Sequence, residues 1–509
     1  MDLTVFAIVV FSFYFVLWFF DSFFKSCMHY PYEAFLNGTG ITIRPFCIQW
    51  YTTAFNRAAI KWAHAYPKLL SFSFDLGTFA SIFLLPLVLI WQMKPFITHV
   101  MSKESKIPKH DSNFRQNGEH DMQFELLFPG VNLPSDEVGY YVLSMGICSL
   151  IHEIGHALAA VLEDVPLAGF GINVLLVMPV AYTQLGAEQM NSLQTWRRLR
   201  IFCAGIWHNL LLAAICFLTL SSLSFLLAPF YHVDNSVVVK DIQYNSPLAG
   251  DNGIFAGDVI ESINGCRIRN IKTWYKCLAE TIKDPPAYCI PSDHVLEQDE
   301  SVPVTHTNNG LVECCDRNNR KSLCFEYINE EGSYSLIELP QFMCLNIRNT
   351  IDHSRGYCHR TSGKCEKSFC IKPIMNNSTT LMQINRNNNK HVIYLGHPAD
   401  LANTIAVSAF VPNNYLFSVH FADGILLLLK YLVVFSLGLA VLNIIPCFYF
   451  DGYHITKISV NHLLHKLVPE RHRRDFITMT ITSIGTFSLI VILAKSIWYS
   501  IFTHGFSMF

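Results

Sequence analysis

The stretch Val138-Gly-Tyr-Tyr-Val-Leu-Ser-Met-Gly-Ile-Cys-Ser-Leu-Ile-His-Glu-Ile-Gly-His-Ala-Leu-Ala-Ala-Val-Leu162 decides how this chain is read. It is long and apolar enough to cross a bilayer as a helix, yet it carries His152, Glu153 and His156. A spacing of four residues places the two imidazoles one turn apart on one helix face. There they can reach a single zinc ion, with Glu153 beside them to take a proton from a water activated at the metal. Ionisable groups in a membrane helix are costly and usually functional.

The rest of the chain suits such a helix. Over 509 residues, 51% are hydrophobic and 15% charged, with a mean hydropathy of +0.29. That is too apolar for an ordinary soluble enzyme and fits a polytopic membrane protein with a soluble portion. The formal net charge of −2 argues against a nucleic-acid partner. Runs able to span a bilayer are expected near Leu3–Phe20, Leu76–Met93, Val138–Leu162, Ile201–Phe230, Ile425–Cys447 and Phe476–Ile501. The first has no basic leader or clear cleavage site and is expected to be retained. Ala168–Tyr182 differs, with glycines, a proline and β-branched residues. It reads as a strand-like or re-entrant segment, with an ordinary seventh membrane helix as the alternative.

Five segments follow: N-terminal membrane helices and their connection over 1–98, a polar loop over 99–137, and a first membrane core over 138–230. A soluble domain over 231–423 and a second membrane core over 424–509 complete the chain. Positive-inside reasoning puts Arg197-Arg198-Leu199-Arg200 and the basic run His465–Arg474 in the cytosol. The intervening domain is then on the lumenal side, and the loop Lys103–Asp121 reads as cytosolic. Ten of the sixteen cysteines lie between Cys266 and Cys370, which independently suggests disulfides in an oxidising lumen. The vicinal pair Cys314-Cys315 is expected to split between two partners. Asn37, Asn376 and Asn377 head N-x-Ser/Thr sequons and are candidate glycosylation sites. Ser236–Ile242, Ser246-Pro-Leu-Ala-Gly250 and Gly257-Asp-Val-Ile-Glu-Ser-Ile-Asn-Gly265 read in order as strand, turn, and strand with tight turn. That succession resembles the PDZ-like modules of membrane-associated proteases, with the cysteine-rich stretch (about 266–370) inserted into or after it. A generic small β domain is the alternative.

A zinc hydrolase normally uses three protein ligands and keeps a fourth position open. Ala157–Leu162 supplies neither the Gly nor the His of the metzincin extension, and no good Glu follows in the next apolar segment. The fifth span offers Leu442-Asn443-Ile-Ile-Pro446-Cys-Phe-Tyr-Phe-Asp451-Gly452-Tyr-His454, in which Asp451 needs a partner and Pro446 and Gly452 favour irregular backbone. His208 and His454 are rival ligands, since a three-histidine site is also chemically possible. His208 is more simply a hydrogen-bonded structural histidine. Cys148, Cys203 and Cys447 are expected to be apolar packing residues.

His-Glu-Ile-Gly-His in a membrane helix, followed far downstream by N-x-x-P-C-F-x-x-D-G, resembles the site-2 protease family of intramembrane metalloproteases. Phe202-Cys-Ala-Gly-Ile-Trp-His-Asn209 also matches. Glu313-Cys-Cys315 and Phe369-Cys-Ile371 in the cysteine-rich insertion point to animal members. Phe450 departs from the leucine usual before Asp-Gly. The resemblance implies a mainly α polytopic membrane protein with about six transmembrane helices and a lumenal PDZ-like domain. It implies a Zn2+ cofactor held by His152, His156 and Asp451, with Glu153 as catalytic base. Asn209 and Asn443 are candidates to donate to the oxyanion or to hold the substrate. The implied substrates are single-span transcription factor precursors of the sterol regulatory element-binding type, already cut once on the lumenal side, in the endoplasmic reticulum or Golgi. Release of their cytosolic part would govern lipid synthesis or the unfolded-protein response. A transporter or channel using buried His, Glu and Asp, and an inactive scaffold relative, are the rival readings. No internal repeat supports the first, and the full set of catalytic residue types argues against the second.

Overall fold

The computed structural model describes residues 3–104, 137–176, 178–250, 253–306, 311–316, 321–328, 340–358, 365, 368–376, 379–387, 390–414 and 416–505. The polar loop expected over Lys103–Asp121 lies outside them from residue 105 onward, as does Asn377. The chain forms two compact units, one of residues 1–221 with 427–509 and one of residues 222–426.

Six described helices contain segments long and apolar enough to cross a membrane: Ile8–Ser26, Pro67–Lys94, Val138–Leu162, Thr195–Ser221, Val419–Ile444 and Arg471–Ser496. A helix satisfies its backbone hydrogen bonds internally, which suits these runs to a medium without water. Two differ from the sequence reading. The fourth helix starts at Thr195, so Arg197-Arg198-Leu199-Arg200 forms its first turns rather than preceding it, and it stops at Ser221 before a separate short helix Leu223–Leu227. Arg200 is carried because it has partners. Arg200 forks onto Asp75 with Nε–Oδ1 at 2.6 Å and Nη2–Oδ2 at 2.7 Å, and reaches Glu163 Oε1 at 2.8 Å. Trp196 Nε1 donates to the same Asp75 at 2.8 Å.

The fifth helix ends at Ile444, ahead of Pro446. Proline disfavours helix at the residue before it and would lack the N–H to continue the ladder. Asp451 is therefore not near the end of that span. It is the first residue of a separate helix, Asp451–Leu463.

Strands Ile41–Arg44, Cys47–Thr52, Leu167–Leu175 and Met178–Leu185 form one antiparallel sheet in that order. Ala168–Tyr182 is thus strand rather than a seventh membrane helix. Its first two partners, read from sequence only as part of a connection, pair with it from Cys47↔Leu175 to Thr52↔Phe170. Tyr14 ties the first helix to this sheet, its hydroxyl donating to Leu176 O at 2.7 Å.

In the second unit, Lys390–Gly396, Thr380–Arg386, Val259–Ile263, Val237–Ile242 and Ile405–Ser408 lie side by side, with Cys266–Arg267 added to Val259–Ile263. Helix Ile271–Lys283 starts on a capping box between Asn270 and Thr273 and buries Trp274, Cys277 and Leu278 in the core with these strands. The chain then builds a second sheet, ordered Phe342–Asn346, Ser322–Tyr327, Phe369–Pro373, Ala287–Ile290 and Tyr357–Cys358, before returning to the first. All ten cysteines between 266 and 370 are paired: 266–277, 289–365, 314–324, 315–344 and 358–370. The vicinal cysteines divide between two partners, as their sequence predicts.

Candidate metal centre

His152 and His156 sit on the inner face of the Val138–Leu162 helix, 6% and 7% exposed. The Thr195–Ser221 helix presents Gly205 to them. A Cβ at Gly205 would overlap His156 Nε2 and the His152 ring, so the imidazoles lie where a side chain would otherwise be. Asp451 arrives from beyond the helix break at Ile444. After Pro446 the backbone turns through Tyr449, which has a left-handed φ of 71°, and Asp451 opens its helix facing the histidines. Gly452 permits this return, because a Cβ there would strike the carbonyl of Ile445.

Three donor atoms meet. His152 Nε2 is 3.0 Å from Asp451 Oδ2, His156 Nε2 is 3.1 Å from the same oxygen, and the two Nε2 atoms are 3.1 Å apart. Zinc binds nitrogen and oxygen at about 2.0–2.2 Å in a tetrahedron, which sets its donors roughly 3.3 Å from one another. The observed triangle is close to one face of that tetrahedron. His156 Nδ1 lies 2.7 Å from the carbonyl oxygen of Ile201. A carbonyl can only accept, so Nδ1 carries the hydrogen and, in the neutral ring, Nε2 carries the lone pair a metal requires. The residues fit zinc. The other cluster of potential metal ligands among the described residues, Cys289, Cys358 and Cys365, is consumed by disulfides.

Glu153, next to His152 in the same helix, is half-buried. Its backbone carbonyl accepts from the Thr183 hydroxyl at 3.2 Å, which draws the Met178–Leu185 strand along the same helix. One turn earlier Ser149 Oγ accepts from Ala181 N at 2.7 Å. Asn209 is fully buried with its amide 3.3 Å from His152 Nδ1. Asn443 is half-buried near the end of the Val419–Ile444 helix. The rival histidines lie elsewhere in hydrogen-bonding and packing terms: His208 Nδ1 bonds Ala204 O at 3.0 Å, and the His454 ring stacks on Phe202 at 4.4 Å. Cys148, Cys203 and Cys447 are buried. Asn37 and Asn376 are exposed.

Sequence reasoning missed Gly205, the Ile201 carbonyl and the Asp75–Arg200–Glu163 network. For Gly205 a signal existed, in the small-residue run Cys203-Ala204-Gly205 inside an apolar helix. For the others there was none, since a carbonyl has no sequence identity and Asp75 lies 125 residues from Arg200.

Residues 140–491, well over half of the chain, match the sequence pattern of peptidase family M50. The chain belongs to that family. This M50 chain is 32% identical over 151 residues to a membrane-bound transcription factor site-2 protease homolog of Arabidopsis thaliana, a match covering 30% of this chain and 29% of the relative. It is 26% identical over 226 residues to an inferred zinc metalloprotease of Clostridium acetobutylicum, covering 40% of this chain and 58% of the relative. The matches thus span under a third of the plant protein and somewhat over half of the bacterial one. The site-2 protease resemblance of the paired motifs holds at family level.

Proposed function

We propose that this M50 protein is an intramembrane zinc metalloendopeptidase that cuts single-span membrane proteins. The observation that carries the reading is the convergence of His152 Nε2, His156 Nε2 and Asp451 Oδ2 at 3.0–3.1 Å, with both imidazoles on an apolar helix able to cross a membrane. These three residues hold the zinc, which when bound supplies a Lewis acid and makes water nucleophilic near neutral pH. Glu153 accepts the proton of the attacking water and passes it to the departing amine. Asn209 is turned to His152, which leaves Asn443 to donate to the oxyanion as the carbonyl becomes tetrahedral.

A substrate helix hides its carbonyls in its own hydrogen bonds and must unwind to be cut. Met178–Leu185 is an edge strand running past Ser149 and Glu153, and the unwound segment adds to it by strand pairing. Alternation along the strand puts the N–H of Thr183 on the same outward edge as that of Ala181. Pro179 has no N–H to offer and Ala181 is bonded to Ser149, so pairing centres on Thr183, beside Glu153.

The disulfide-bonded unit of residues 222–426 suits an oxidising lumen, and we assign it as lumenal, with a PDZ-like module that holds or filters the trimmed substrate. The substrates are transcription factor precursors of the sterol regulatory element-binding type, cut first on the lumenal side, in membranes of the Golgi or endoplasmic reticulum. The name of the plant relative supports that class. The test is cleavage of a precut single-span substrate by purified protein beside Glu153→Gln. Cleavage by the parent alone is expected. Equal cleavage by both removes Glu153 from the chemistry.

A further inference from the structure

Asn209 carries an unexplained feature. It is 0% exposed, its Nδ2 faces His152 Nδ1 at 3.3 Å, and its Oδ1 has no hydrogen-bond partner among the described residues. A buried acceptor without a partner costs about 1–3 kcal/mol, so such an atom calls for a reason.

The two ends of an amide are nearly isosteric, and which of them faces a neighbour follows from hydrogen-bonding logic rather than shape. With Nδ2 on His152 Nδ1, the amide donates and Nδ1 must be the lone pair. The imidazole hydrogen is then on Nε2, which donates to Asp451 Oδ2 at 3.0 Å. In that tautomer Nε2 cannot ligate a metal. With the amide turned by half a revolution, Oδ1 accepts from Nδ1–H and the Nε2 lone pair is free. His156 has no such choice, because its Nδ1 partner is the Ile201 carbonyl, which only accepts.

We propose that Asn209 is the positioning residue that sets the His152 tautomer: its otherwise unpartnered Oδ1 accepts from Nδ1–H, which leaves the Nε2 lone pair for the zinc the site would hold. A leucine offers no acceptor at that spot. The inference rests on the proposed zinc site and assigns Asn209 no contact with metal or substrate.

The experiment measures zinc affinity of the full-length protein by competition with a chromophoric chelator, for the parent, Asn209→Asp, Asn209→Leu and His156→Ala, with melting of each metal-free form recorded alongside. Aspartate only accepts and locks the ligating tautomer, so Asn209→Asp is expected to hold zinc at least as tightly as the parent. Asn209→Leu offers no partner and is expected to bind about 10–100-fold more weakly. Affinity of Asn209→Leu within twofold of the parent overturns the proposal, as does a tenfold loss in Asn209→Asp, which decides the matter even where the leucine variant does not fold. Undiminished zinc in His156→Ala is a separate failure, of the metal site itself.

Discussion

His156 donates through Nδ1 to the carbonyl oxygen of Ile201 at 2.7 Å, and its Nε2 consequently points at Asp451 Oδ2, 3.1 Å away. The ring is oriented by the backbone of the neighbouring Thr195–Ser221 helix rather than by the acid it meets. The site therefore depends on how closely that helix approaches, and the approach depends on Gly205.

Gly205→Ala is expected to disable the centre without unfolding the protein. The added Cβ overlaps His156 Nε2 and the His152 ring, so the donors move apart or the helices separate. A displacement of about 1 Å at reacting groups costs on the order of 100-fold in rate. Peptidase assays and zinc content should both fall, while the melting profile stays near that of the parent. Full zinc content and activity would show that the helices yield there without consequence.

Arg200 holds three helices together electrostatically. It binds Asp75 through two nitrogens and Glu163 through a third, with its side chain 20% exposed. Removing one partner of a buried pair costs about 3–5 kcal/mol and of an exposed pair under about 1 kcal/mol. At this intermediate exposure Arg200→Met, which leaves Asp75 to Trp196 and Glu163 to Arg197, is expected to cost roughly 2–3 kcal/mol. Asp75→Asn leaves Glu163 bonded and should cost less. Thermal unfolding in detergent ranks the two, and the reverse order would put the stabilisation on Trp196–Asp75 instead.

What sequence revealed and what it hid divide along physical lines. His152 and His156 were legible because a four-residue spacing maps onto one helix face. Gly169, Gly171 and Pro179 marked a non-helical segment because those residues disfavour helix. Asp451 stood out as an acid in apolar surroundings. The strands Ile41–Thr52 were hidden because their partners, Phe170–Leu175, lie far along the chain and no local pattern encodes that pairing. The break after Ile444 was signalled by Pro446, but that Asp451 would open a new helix depends on the turn through Tyr449. The link from Asn209 to His152 is 57 residues long in sequence and becomes visible only when two helices pack.

The unit of residues 222–426 should weaken at alkaline pH. Burial, and then the hydrogen bond to Asp400 at 2.9 Å, push the Tyr394 phenol up to about 12, and burial pushes Tyr357 up to about 12. In the unfolded chain both ionise near 10. Folding therefore retains protons that unfolding releases, and the stability they contribute is present below pH 10 and lost as pH rises toward 12. Melting of the full-length protein between pH 9 and 11 should fall more steeply for the parent than for Tyr394→Phe. Parallel slopes would place the alkaline transition elsewhere.

The substrate-pairing edge gives the most direct test of how a helix is presented for cutting. Thr183 is one alternation beyond Ala181, whose N–H is held by Ser149, and its hydroxyl bonds the carbonyl of Glu153 at 3.2 Å. Thr183→Pro removes the outward N–H nearest the base, while strand pairing to Leu167–Leu175 uses the other edge. Thr183→Val removes only the hydroxyl. If the unwound substrate adds to this edge, the proline variant should lose cleavage and the valine variant should keep most of it, with zinc content unchanged in both. Equal losses in the two would trace the effect to the Thr183–Glu153 bond and hence to placement of the base. Unchanged cleavage in the proline variant would exclude strand addition at this register.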